Sequence, residues 1–217
     1  MKKQSTIRWA ALSLILLFSF TVQAQSLKDF FSNESTNVLY LGVDFTLNKF
    51  IDYATANTAD IRDHQYNAIN DLIVAEPKKY DIKDAFHRSN DVDHDLGLVN
   101  ERNVKSNADA MLSTNTSDFH RLKEEDIRKL VKEYNFKDKK GLGILLICES
   151  MSKSGKSEAI WAAIVDMSSG KLLFTDRLEG KISMGIGFRN YYVTGIKSVL
   201  DQIKKSKYKE WKAKAGA

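Results

Sequence analysis

The chain has 217 residues, 33 Lys and Arg against 28 Asp and Glu, and a formal charge of +5 at neutral pH. Its one cysteine, Cys148, excludes an internal disulfide, so a hydrophobic core must hold the fold unaided, and about 190 residues beyond position 24 suffice for one domain. Residues 1–24 contain Lys2, Lys3 and Arg8 and no acid, which leaves +2 for the remainder and argues against a nucleic-acid-binding domain, whose cations concentrate on one face.

The N-terminus reads as a cleavable secretory signal over residues 1–24. A basic start leads into an apolar run from Trp9 to Phe20, and Val22 and Ala24 stand at −3 and −1 to a cut before Gln25. The run is too short for a spanning helix, which needs about 20 apolar residues. Gln25 occupies the place where a lipoprotein would carry its cysteine, and no twin-arginine pair precedes the run. The expected product is periplasmic or secreted, unlipidated, and without stable membrane insertion once the signal is gone. Asn33 and Asn115 open Asn-x-Ser/Thr acceptor patterns that matter only in a eukaryotic secretory pathway.

Residues 25–36 read as a flexible polar lead-in, and residues 37–206 as a single domain. Val38, Leu39, Tyr40, Leu41, Val43 and Phe45 predict a buried strand. Ile61, Ala68, Ile69, Leu72 and Ile73 recur at helical spacing, and Pro77 ends that helix near Glu76. Residues 90–99 alternate, with Val92, His94, Leu96 and Leu98 on one face and Asp91, Asp93 and Asp95 on the other, which predicts a half-exposed strand. Residues 101–121 lack a period and read as loop. Ile127, Leu130, Val131 and Tyr134 mark a second amphipathic helix over 123–136, with Glu124, Glu125 and Asp126 where the helix dipole favours acids.

The C-terminal third is the clearest. Strands are expected over 143–151, 158–167 and 171–182, joined by turns at 152–156 and 168–170. The middle strand is apolar on both faces and therefore central. A final helix over 190–205 places Val193, Ile196, Val199, Leu200 and Ile203 on one face. Residues 207–217 read as a basic tail. The expected class is α+β: a mostly antiparallel sheet with three main helices packed on it.

Several motifs dissolve on inspection. Ser154-Gly155-Lys156-Ser157 resembles the end of a phosphate-binding loop, but Ser150 replaces the first glycine and a strand, not a helix, follows. Ser150-Met151-Ser152-Lys153 matches a serine–lysine pattern of penicillin-recognising enzymes, yet it overlaps its supposed partner motif within one turn. The stretch from Asp91 to Asp95 begins like a calcium loop, but Leu96 and Arg102 replace the glycine and the bidentate glutamate. Three carboxylates on one face could still hold a weak divalent ion. His64, His87, His94 and His120 form no zinc or triad pattern. No catalytic, cofactor-binding or metal-ligating residue is assigned, and no cofactor is expected.

Ile164-Val165-Asp166 followed by Ser169-Gly170-Lys171-Leu172 resembles the Val-Asp-x-x-Thr-Gly hairpin of an envelope superfamily, with Ser169 at the threonine position. Gly185, Gly187, Arg189 and Tyr191-Tyr192 resemble the glycine-spaced approach to its last helix. The group comprises the curli-secretion lipoprotein, the lipoprotein activators of penicillin-binding proteins and the N-terminal domain of the Tol-system propeller protein. The chain resembles a non-lipidated, stand-alone member of the Bacteroides type. The resemblance implies an anticodon-binding-like fold, a first strand at 38–45, a first helix at 60–76, and an accessory that binds a protein or envelope component without catalysis. The alternative is a hydrolase using the stretch from His87 to Asp95.

Overall fold

A computed structural model describes residues 27–53 and 56–217; the expected signal at 1–24 lies outside them. In chain order the elements are α1 (Leu27–Ser32), β1 (Val38–Asp44), β2 (Lys49–Ile51), α2 (Thr58–Asp60), α3 (Tyr66–Ala75), α4 (Ile82–Ala85), β3 (Asp93–His94), α5 (Gly97–Asn103), β4 (Leu112–Ser113), α6 (Glu124–Lys132), β5 (Leu142–Ser152), β6 (Ser157–Asp166), β7 (Lys171–Lys181), α7 (Phe188–Gln202) and α8 (Tyr208–Lys214). Wide π-type turns at Ile61–Gln65 and Ile203–Lys207 make α2–α3 and α7–α8 two continuous rods.

The mostly antiparallel α+β sheet expected from the sequence is not what forms. β1 pairs in parallel with β3 and β5, and β2 pairs in parallel with β4 and β5; only β5–β6 and β6–β7 are antiparallel. The sheet is mostly parallel, curls into a half-barrel, and with its helices makes a Rossmann-like α/β arrangement. The physical reason is connectivity. The chain between β1 and β3 passes through α3, and that between β3 and β5 through α5 and α6, so each strand returns in the same direction as its predecessor. The three hairpin strands are real, but they form one flank of a larger sheet.

Helices cover both faces. Tyr40, Val43, Ile144, Leu146 and Ile160 join Ile69 and Ile73 of α3 and Val193, Ile196 and Val199 of α7 in one core. Leu41, Leu145, Ile147 and Trp161 join Leu98 and Val99 of α5 and Ile127, Leu130 and Val131 of α6 in the other. A strand buried on both faces favours a near-continuous apolar run; all eleven residues of β5 are buried, with residues 142–148 apolar throughout and Glu149 held by hydrogen bonds.

Three local expectations are corrected. The strand expected over 90–99 shrinks to Asp93–His94, because Leu98 and Val99 turn inward as part of α5. The lead-in is not flexible where it is described: α1 buries Phe30 and Phe31 completely. The tail is likewise part of the core, since α8 buries Tyr208 and Trp211. Phe31 meets Tyr208 at 5.4 Å between ring centroids. Arg88 lies 4.5 Å from the Phe30 ring centroid and also donates to the Tyr208 hydroxyl, so the first and last described helices share one clasp.

Candidate functional site

The stretch from His87 to Asp95 does not converge on a reaction centre. His87 stacks on Tyr208 at 4.4 Å, and its Nε2 lies 3.1 Å from the Lys204 carbonyl oxygen. Asp91 pairs with Lys83 at 2.9 Å. Asp95 pairs with Lys139 and accepts from the Gly97 N–H, and Lys139 holds its carboxyl below the usual range. Asp93 and His94 stand exposed on β3. The three carboxylates thus turn to different surroundings, and among the described residues no group of three His, Cys, Asp or Glu is placed to hold a metal ion. His94 and Asp91 instead rim a cleft of about 410 Å³ whose wall includes Tyr40.

Three buried carboxylates escape sequence reasoning, because nothing in their local pattern separates them from exposed acids. Asp44, at the carboxyl end of β1, is fully buried. It accepts from Thr46, from Arg102 Nε at 3.0 Å and from the Tyr134 hydroxyl at 2.5 Å. Burial, reinforced by the neighbouring Asp44 carboxylate, pushes the Tyr134 hydroxyl well up. Glu149 accepts from the Leu122 N–H, Trp161 Nε1 and Arg177 Nε. Both acids join strand to helix or loop through complete hydrogen-bond sets, the usual condition for a buried charge.

Glu158 differs. It is fully buried on β6 beneath Gly195 of α7, and neither carboxyl oxygen has a partner. Burial pushes its carboxyl well above the usual range, which favours its neutral form in the fold. Cys148 is buried too, and burial pushes its thiol up, which leaves it a poor nucleophile. The phosphate-loop mimic is the tip of the β5–β6 hairpin. Ser154 donates to the Asp52 carboxylate, and β6 begins at once, so no helix end faces the turn.

The surface feature that stands out lies between β7 and α7. Met184 is 96 % and Ile186 93 % exposed, in a segment whose backbone is held in place. Ser183 N–H donates to Thr194 Oγ1 at 2.9 Å, and Asn190 Nδ2 donates to the Ile186 carbonyl at 3.0 Å. Gly185 lies so close to the first turn of α7 that a Cβ there would sit 2.3 Å from the Asn190 carbonyl oxygen. Gly187, with φ of 82°, takes the left-handed turn that launches the helix. The glycines therefore press the loop against α7 while its two apolar side chains point outward.

Beside these tips, Tyr53, Lys153, Phe188 and Tyr191 line a surface slot of about 340 Å³. Phe188 is anchored on Phe50 and Tyr192, and the Lys153 ammonium lies 5.5 Å from the Tyr53 ring centroid. Burial pushes the Tyr53 hydroxyl up. The sequence flags Gly185, Gly187 and Tyr191 but passes over Met184 and Ile186, since an apolar residue is by default a core residue. The arrangement offers contact, not chemistry: it combines apolar tips, aromatic faces and cations, with no nucleophile–base pair. The chain was compared with family models, curated proteins and solved structures, and it matches none of them.

Proposed function

We propose that this chain is an exported envelope accessory protein that works by binding a protein or envelope component, and that the segment around Met184 and Ile186 is its binding surface. The observation that carries the reading is the near-complete exposure of these two large side chains on a backbone fixed to α7. A tethered loop gains nothing in the free protein by holding two apolar groups in water, and exposed apolar clusters mark interaction sites. The resemblance of the last hairpin and helix to envelope accessory proteins points the same way. The rival hydrolase reading needs His87, His94 and the neighbouring aspartates to act together, whereas His87 is spent on Tyr208 and Asp95 on Lys139.

The test is retention on an isolated envelope fraction from the source organism. The wild-type chain is expected to pellet with the envelope, and the double variant Met184→Asp/Ile186→Asp to remain at least tenfold more in solution, with both proteins giving the same thermal melt. Equal retention of the two would remove this surface from the function.

A further inference from the structure

We infer that the partner met by the Met184–Ile186 tips is an anionic lipid bilayer surface, which the protein grips reversibly and peripherally. The inference rests on the binding reading above and names its partner.

The argument is the charge around the tips. Lys153, Lys156, Lys181 and Arg189 are all exposed, and none makes an ion pair among the described residues. Each borders the loop. Lys153 lines the slot with Gly185 and Gly187, and Lys181 lines a groove with Met184. The Lys156 carbonyl accepts from Ile182 N–H at 2.8 Å, and Arg189 follows Phe188 in the chain. Opposing charge is sparse. Asp201, in the same groove as Lys181, is taken by Lys197 at 2.7 Å, which leaves Asp52, hydrogen-bonded to Ser154, as the acid beside the hairpin turn.

Two apolar tips ringed by four free cations match the layering of a bilayer surface. The tips reach the acyl boundary while the cations stay among phosphate headgroups. Tyr53 and Tyr191 line the slot beside the tips, each with a ring and a polar end, the side-chain type that settles at membrane interfaces. The flexible lysines suit a fluid headgroup layer, which asks for charge but no fixed geometry. No helix among the described residues is long and apolar enough to cross a membrane, so the contact is a surface one. Burying each tip is worth roughly tenfold in partition, and each cation near an anionic surface roughly fivefold.

The experiment is co-sedimentation with lipid vesicles. It uses the chain freed of residues 1–24, so that the apolar Trp9–Phe20 run contributes nothing. Vesicles of 7:3 phosphatidylethanolamine and phosphatidylglycerol are expected to bind the protein saturably, at least tenfold more tightly than vesicles of phosphatidylcholine. Met184→Asp/Ile186→Asp should weaken binding about tenfold or more at low salt. Lys153→Gln/Lys181→Gln should weaken it about 25-fold, at roughly fivefold per cation, and flatten its salt dependence, with melts unchanged for both variants. Equal binding to the two vesicle types, or variants that bind like wild type, overturns the inference. If the protein ignores both vesicles yet is still retained on the envelope through Met184 and Ile186, the lipid partner is wrong, a protein partner replaces it, and the binding function stands.

Discussion

Glu158 and Asp44 are both fully buried acids, and their consequences run in opposite directions. Burial raises the Glu158 carboxyl and favours its neutral form in the fold, whereas in the unfolded chain it ionises near pH 4.3. Below that pH both states hold the proton and ionisation adds no cost. Above it the unfolded state loses a proton that the folded state keeps, so stability falls as pH rises, by about 1.4 kcal/mol per pH unit, until the folded carboxyl itself ionises. Urea denaturation of wild type and Glu158→Gln between pH 5 and pH 7 should show the extra fall in wild type and its absence in the variant; parallel curves would mean the carboxyl finds a partner. Asp44 is the reverse case, an acid whose removal leaves the buried Tyr134 hydroxyl without its partner and Arg102 with Glu133 alone. Asp44→Ala should cost about 3–5 kcal/mol, as breaking a buried pair does, measured by chemical denaturation at pH 7. A loss under about 1 kcal/mol would mean Arg102 simply turns to water.

At the level of elements, β6 is the strand on which the C-terminal half depends. Trp161 packs in the α5–α6 core and donates to Glu149, so Trp161→Ala should cost about 3–5 kcal/mol. Lys153→Ala, Ser154→Ala and Lys156→Ala at the neighbouring turn should each cost under about 0.5 kcal/mol. Denaturation midpoints of the four variants separate the two groups, and a near-neutral Trp161→Ala would contradict the central place of β6. Elements of this length were legible in the sequence: β5, β6, β7, α3, α6 and α7 each span enough residues to display a period. β2, β3 and β4 have only two or three residues apiece, less than any period can mark, and they take part in three of the four parallel pairings. Strand direction was hidden for the same reason, since it is set by crossovers around those short strands. Of the candidate site, the glycines and tyrosines could be read, because loop chemistry marks them. The outward direction of Met184 and Ile186 could not, because it follows from Gly185 lying against α7.

Across the whole molecule, the described ends behave as core. Phe30 and Phe31 of α1 pack against Phe86, Phe174 and Tyr208, and Trp211 of α8 donates to Asp176 at 2.8 Å while covering Phe86 and Phe174. Deleting residues 208–217 removes two buried aromatics and uncovers α1. At about 3–5 kcal/mol for each aromatic site and about 2–4 °C per kcal/mol for a domain of this size, the melting temperature should fall by more than about 10 °C in a calorimetric scan. A drop of only a degree or two would make α8 dispensable. The clasp around Arg88 has a further mechanical consequence. With α1 and α8 both closing on one guanidinium, the two helices are neighbours, so a peptide joining 217 to 27 and a new opening at the 168–170 turn should give a permutant that folds as the original does. Tension applied at residues 27 and 217 would meet α1 and α8 first, and the sheet would feel it only after that clasp had parted.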